Sequence, residues 1–230
     1  MTSTRLPGKI LKEAKGRPLL DYHTDRLKQT GFELVIATTT NATDDLVAAY
    51  ATKKNISLYR GDEQNVLSRF YEAAVKYKLD IIVRVTSDCP LIDPHLIRNS
   101  MEKYLKLNNS RLYMSNALER TFARGFDFEI FSFELLEEAY RNAIAAPDLE
   151  HVTPYIWNNR AGNVEFYHVK QNADHSNLRI TVDTEDDFSL IRELIEKYDA
   201  EKLSYNEIET VLVQHPELIN INGHIEQKKI

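Results

Sequence analysis

The chain of 230 residues has one cysteine, Cys89, so no internal disulfide can form, which fits a reducing compartment. It has no run near the roughly 20 apolar residues that a membrane-spanning helix needs, and no charged and then apolar start of the signal-peptide kind. A cytoplasmic protein is the expectation. Excess positive charge is missing too: 29 Lys and Arg stand against 35 Asp and Glu, a formal net charge of −6. Surfaces that bind nucleic acid carry a basic stripe, and none is present. An anionic ligand therefore has to be held locally, by a few placed cations or a metal. Internal repeats, low-complexity tracts and Gly/Ser linkers are also absent, which favours one compact unit spanning 1–230.

With 43% hydrophobic residues the chain can build a sizeable core, and its length suits one α/β domain with an insertion. Periodicity predicts a helix over 17–30 with Gly31 behind it, a buried strand over 33–38, a helix over 44–54 and a short strand over 56–60. Residues 65–77 follow as a helix with one apolar stripe. The run 80–86 is apolar on both faces, as a central parallel strand is. Asp93 and Pro94 mark the start of the next helix. Strand and helix alternate throughout this half, the signature of a parallel sheet with crossover helices. After Asn109 the rhythm changes to an α+β stretch. Strands are expected over 112–115, 126–131 and 164–169, with helices over 133–145 and 150–158. We read 110–175 as an elaboration suited to a dimer contact or a substrate lid. A strand over 178–182, a helix capped by Thr184 with Asp187 at N3, and a helix over 204–214 complete the chain.

The first residues, Thr2-Ser3-Thr4-Arg5-Leu6-Pro7-Gly8-Lys9, combine two cations, three hydroxyls and a Pro-Gly bend. Backbone N–H groups, hydroxyls, an arginine fork and a lysine point charge can together wrap a loop around phosphate. Two acids sit at matching places further on. Asp88 follows the central strand and Asp183 ends the last one, and ligands of open α/β sheets bind at those carboxyl ends. Two carboxylates beside an anion loop call for a positive charge between them. Mg²⁺ suits, since it is bound through one or two carboxylates plus substrate phosphates. Read singly, Asp88 is also a turn residue before Pro90, and Asp183 an ordinary neighbour of a helix cap. Cys89 reads as a packing residue, because no His is placed to activate it.

The opening loop, continued by Ile10-Leu11, resembles the signature loop of the cytidylyltransferases that make CMP-activated sugars. Thr86-Ser87-Asp88-Cys89-Pro90-Leu91-Ile92-Asp93 is similar to the metal-aspartate motif of the branch typified by spore-coat polysaccharide biosynthesis protein F. Val66-Leu67-Ser68-Arg69-Phe70-Tyr71-Glu72-Ala73, Gly125-Phe126-Asp127-Phe128-Glu129-Ile130-Phe131, Glu150-His151-Val152-Thr153-Pro154-Tyr155-Ile156 and Thr181-Val182-Asp183-Thr184-Glu185-Asp186-Asp187-Phe188 match in the same order, over nearly the whole chain.

The resemblance implies a Rossmann-like, three-layer nucleotide-diphospho-sugar transferase fold of class α/β, with a mostly parallel sheet and a small α+β insertion. It also implies CMP transfer from CTP to a sugar or sugar phosphate. Arg5 and Lys9 would be the catalytic phosphate-loop cations, and Ser3, Ser68, Arg69 and Ser87 would lie near the nucleotide. Asp127, Glu129 and His151 would face the acceptor, with Asp88 and Asp183 on Mg²⁺. A homodimer through 110–175 is implied as well. Two departures stand out. Asn65 replaces an Asp usual in the family, and the family's apolar strand and Ala-Arg pair ahead of the loop, which would lie mid-sheet, are expected but not in this sequence. Two other readings stay open here. One is a non-catalytic relative that keeps nucleotide or sugar binding; the other is a metal-dependent glycosyltransferase on the related fold, against which stands the lack of Asp-x-Asp after the central strand.

Overall fold

The computed structural model describes residues 5–227; residues 1–4 and 228–230, and with them Ser3, lie outside the described residues. A small hairpin, β1 (Glu13–Ala14) and β2 (Arg17–Pro18), leads into α1 (Leu19–Lys28). There follow β3 (Val35–Thr39), α2 (Asp45–Lys53), β4 (Ser57–Gly61), α3 (Val66–Tyr77), β5 (Ile81–Arg84) and α4 (Pro94–Leu107). The second half holds β6 (Leu112–Ser115), β7 (Glu129–Ser132), α5 (Phe133–Asn142), α6 (Ala146–His151), α7 (Pro154–Trp157), β8 (Glu165–His168), α8 (Glu185–Tyr198), α9 (Tyr205–Gln214) and α10 (Pro216–Asn222).

Local chemistry starts the helices where the sequence places them. The Asp93 carboxylate accepts from Leu96 N at 2.8 Å with Pro94 at the first helical position, so α4 begins there. At α8, Thr184 accepts from Asp187 N while Asp187 accepts from Thr184 N, a reciprocal capping box. Asn65 caps α3 by accepting from Ser68 N at 2.9 Å, a task its amide oxygen performs as a carboxylate would. The single helix expected over 150–158 is instead two short ones. Pro154 has no N–H to give a preceding turn, and the chain bends at Val152, whose φ is 72°.

The strands pair in a mixed pattern rather than a mostly parallel one. β3 and β4 form a parallel pair; a separate sheet runs β5-β7-β6-β8, antiparallel on both sides of β7 and parallel between β6 and β8. Region 110–175 supplies three of those four strands, so it forms part of the central layer. The strand expected over 178–182 is extended and buried, but it makes only an isolated parallel bridge, Arg124 to Arg179, among the described residues. Its remaining bonds go to loops, such as Val182 N to Asp88 O at 2.8 Å.

Alternation along β6 and β7 divides the core. Leu112, Met114 and Ile130 face one apolar cluster, packed with residues of α4, α8, α9 and α10, whereas Tyr113 and Phe131 face another, packed with α3, α5 and α7. Helices on both faces of a sheet make three layers, the Rossmann-like α/β arrangement. No helix among the described residues is long and apolar enough to cross a membrane.

Candidate active site

Gly8 turns the chain at φ 67°, a backbone position open to glycine, and a single turn of 3-10 helix (Lys9–Leu11) follows. Leu6 is buried in the larger core cluster, which anchors the loop. From it Lys9 reaches both predicted acids, with Nζ 3.1 Å from Asp88 Oδ2 and 2.7 Å from Asp183 Oδ1. Arg5 Nη2 lies 3.1 Å from Asp183 Oδ2. Four residues from three distant parts of the chain therefore meet at one point. Asp88 also accepts from Thr86 Oγ1 at 2.5 Å.

Arg179 joins the cluster, donating from Nη2 to Asp183 at 3.0 Å and bidentately to Asp187 at 2.8 and 2.9 Å. Asp187 is fully buried and also accepts from Asn222 Nδ2 at 2.8 Å and from Asp183 N at 2.9 Å. Sequence reasoning had Asp187 only as a cap and missed Arg179 altogether. Its visible signal was an Arg four residues before the metal-motif acid and eight before the capping one. Burial alone works against charge on these groups, but the opposite charges outweigh it. The Lys9 ammonium is pushed above its ordinary range by Asp88 and Asp183, and the Asp183 and Asp187 carboxyls are held below theirs by Lys9 and Arg179. Cys89, beside Asp88, is buried, and burial and that neighbour push its thiol up, so it packs rather than attacks.

The cluster borders a cavity of about 290 Å³. Asp127, Glu129 and His151 all line it, as do Arg120 and Arg124. Glu129 opens β7, which lies inside the sheet, so it is not on a solvated edge, and Asp127 lies in the segment just before that strand. Glu129 accepts from Arg84 at 2.7 Å, Tyr113 Oη at 2.7 Å and Thr153 Oγ1 at 2.9 Å, the last delivered by the bend at Val152. Its oxygens are thus engaged within the protein. Asp127 is held in a two-bond fork by Arg120. Arg124 makes no ion pair among the described residues, and like Arg120 and Arg84 it was not singled out from the sequence. Its place is set by the bridge to Arg179 and by Gly125, where a Cβ would fall 2.7 Å from the Ile180 carbonyl carbon. No side chain but hydrogen fits there.

Three expected nucleotide residues lie apart from this cavity. Ser68 bonds back to Asn65 O at 2.8 Å within the first turn of α3, and Arg69 donates to Asp62 O at 2.8 Å beside the end of β4. Ser87 lines the cleft between β3 and β5 instead.

A metal is tested by the donors present. Asp88 and Asp183 both contact one ammonium, so their oxygens share a focus where a cation is favoured. Among the described residues no group of three or more His, Cys, Asp or Glu gathers to hold a metal. The donors fit an ion held by two carboxylates and completed by ligand oxygens, not a closed structural site.

Paired acids and cations at the strand ends of a three-layer α/β fold are the layout of a nucleotide-handling enzyme. Comparison with known proteins gives the class. The family model described as cytidylyltransferase matches residues 1–223. The chain is 32% identical over 226 residues to spore coat polysaccharide biosynthesis protein SpsF of Bacillus subtilis, covering 94% of this chain and 92% of that protein. Its structure resembles that of a cytidylyltransferase from Leptospira borgpetersenii, with TM-score 0.90 and 33% identity over 100% of this chain and 95% of the other. A CMP:2-keto-3-deoxy-manno-octonic acid synthetase complexed with CTP shares the fold at TM-score 0.60 and 16% identity, over 84% of this chain and 93% of its own. This chain belongs to the cytidylyltransferase family, and it is a nucleotidyltransferase. That membership sets aside the glycosyltransferase reading.

Proposed function

We propose that this chain transfers CMP from CTP to a hydroxyl of a sugar or sugar phosphate, with release of pyrophosphate, in the making of a surface polysaccharide or glycan. The observation that carries the reading is the meeting of Arg5, Lys9, Asp88 and Asp183 at the rim of the cavity lined by Asp127, Glu129 and His151. The acceptor oxygen bonds to the α-phosphorus while the bond from that phosphorus to the bridging oxygen breaks, and the hydroxyl proton passes to solvent. Arg5 and Lys9 neutralise charge on the phosphates as it shifts, and Arg179 holds Asp183 in place.

Mg²⁺, held by Asp88 and Asp183, supplies further charge neutralisation on the phosphate oxygens when bound. With Asp88 and Asp183 engaged on that ion, the Lys9 ammonium would be free to serve the phosphates. The choice of CTP is supported by the family and by the related synthetase complexed with CTP. Asp127 and His151 serve acceptor binding, while Glu129 orders the wall behind them through Arg84, Tyr113 and Thr153. Ser3, Ser68, Arg69 and Ser87 stay assigned to the nucleotide side. The homodimer of this reading uses region 110–175, where Phe166 and Tyr167 of the edge strand β8 are exposed.

Pyrophosphate release, measured with each nucleoside triphosphate, Mg²⁺ and a panel of sugars and sugar phosphates, tests the proposal. Release with CTP and an acceptor supports it. Asp88→Asn is expected to abolish turnover with little change in melting temperature, and a variant that kept most of its rate would remove Asp88 from the metal site.

A further inference from the structure

Along α9, Tyr205, Ile208, Glu209 and Leu212 fall on one stripe at helical spacing, and Glu209 is its charged member. Its side chain is 0% exposed. A carboxylate taken out of water at such a place is tolerated only when its oxygens are bonded. Here the partners come from outside α9. Oε1 accepts from Ala123 N at 2.8 Å, Gln171 Nε2 donates to Oε1 at 3.1 Å and to Oε2 at 3.0 Å, and His175 Nδ1 lies 2.7 Å from Oε2.

These groups grip one stretch of backbone. Gln171 Nε2 also donates to Thr121 O at 2.9 Å, Gln171 N donates to Thr121 Oγ1 at 2.9 Å, and His175 N donates to Thr121 O at 2.8 Å. Directly after Ala123, Arg124 N donates to Leu178 O at 2.9 Å and Arg124 O accepts from Ile180 N at 2.7 Å. Tyr205, one turn before Glu209, meets Phe122 and Phe126 edge-on, with ring centroids 5.1 and 6.2 Å away. Phe122, Ala123 and Phe126 are buried, whereas Arg120, Arg124 and Asp127 of the same stretch line the cavity that also holds His151. An apolar side chain of equal volume would suit the stripe as well as Glu209 does. What the carboxylate supplies is direction, an acceptor aimed at one N–H beside Arg124.

We infer that Glu209 is a positioning residue for the acceptor cavity. It acts through Ala123 N–H, fixing the stretch 121–125 so that Arg124 faces the cavity, while Gln171 and His175 hold the carboxylate itself. The inference rests on the acceptor reading of that cavity and adds to it a residue outside the lining.

Glu209→Met keeps the volume and removes both oxygens. It is expected to raise the acceptor KM by about tenfold, with kcat and the KM for CTP within about threefold of the parent. Glu209→Gln keeps an oxygen for Ala123 N and should recover most of that loss. In an Arg124→Ala background Glu209→Met should add less than about twofold, because its effect passes through Arg124. Equal rises in both KM values, no recovery with Gln, or full additivity with Arg124→Ala would overturn it. Amide hydrogen exchange needs no turnover and reads the stretch itself, even if the parent releases no pyrophosphate and the functional reading fails. The Arg124 and Ile180 amides, bonded to groups other than Glu209, should exchange about tenfold faster in Glu209→Met, while Val182, bonded to Asp88 O, keeps the parent rate. Unchanged Arg124 and Ile180 amides, or a rise shared by Val182, would overturn the positioning role whatever the acceptor. Faster Arg124 and Ile180 amides with an unaltered acceptor KM would overturn the placing of the acceptor in this cavity instead.

Discussion

Lys9→Met removes the ammonium that Asp88 and Asp183 share while keeping most of its length and apolar stem. The three side chains are 14–23% exposed, between a surface pair worth up to about 1 kcal/mol and a buried one that costs about 3–5 kcal/mol to break. We expect a stability loss of about 1–2 kcal/mol, or roughly 2–8 °C in melting temperature for a chain of this size. The loss falls unevenly. Asp183 keeps Arg5 and Arg179, whereas Asp88 keeps only hydroxyl and thiol contacts among the described residues. The focus of the two carboxylates is then more negative, so MgCl₂ should raise the melting temperature of the variant more than that of the parent. For turnover, losing one charge aimed at the reacting phosphates costs about 10²–10³ in rate, or about 3–4 kcal/mol. Thermal melts with and without MgCl₂, together with pyrophosphate release, read both effects. A variant within about threefold of the parent rate, on the scale of that expected loss, would refute the catalytic role of Lys9. Equal responses to MgCl₂ would refute the shared cation focus.

Asp187→Asn leaves Arg179 buried with Asp183 as its remaining carboxylate, and we expect a cost of about 3 kcal/mol, or roughly 6–12 °C, by thermal melt. Because the Asp187 carboxyl is held below its ordinary value near 3.8, its contribution is complete above that pH and lost as the pH falls below it. Parent stability should therefore drop more steeply than that of the variant under acid titration. Arg124→Ala removes a guanidinium that makes no ion pair among the described residues from the cavity lined by Asp127 and His151; on the proposed acceptor role of that cavity it should raise the acceptor KM by about tenfold or more with little change in the KM for CTP. Equal rises in both constants would place Arg124 outside acceptor binding. The proposed homodimer predicts that Phe166→Glu on the exposed edge of β8 shifts sedimentation toward the monomer while leaving the melt cooperative, and a parent that already sediments as a monomer would refute it.

The starts of α4 and α8 were legible because each is decided within four residues. Asp93 with Pro94, and Thr184 with Asp187, carry their own hydrogen-bond partners, and no distant contact is needed to complete them. The meeting of Arg5, Lys9, Asp88 and Asp183 was legible in part, since strand ends and a phosphate-type loop were recognisable as motifs. Arg179 was not, because an arginine inside an apolar run is defined by what faces it, and Asp187 faces it only once α8 has packed. The same holds for 178–182, where hydropathy showed an extended buried segment but could not show that its bonds go to loops at Asp88 and Arg124.

The alternation of strand and helix over the first half, the family, and the residue types of the opening loop could be read from the chain alone, because these follow from local periodicity, capping and motif. Which charges meet was settled by the packing of distant segments. It put Lys9 between the two acids, engaged Glu129 with Arg84, left Arg124 in the cavity with no ion pair among the described residues, and set β3 and β5 apart across a slot. Charge pairing and strand pairing depend on distances between segments far apart in the chain, and those distances exist only after the layers have packed.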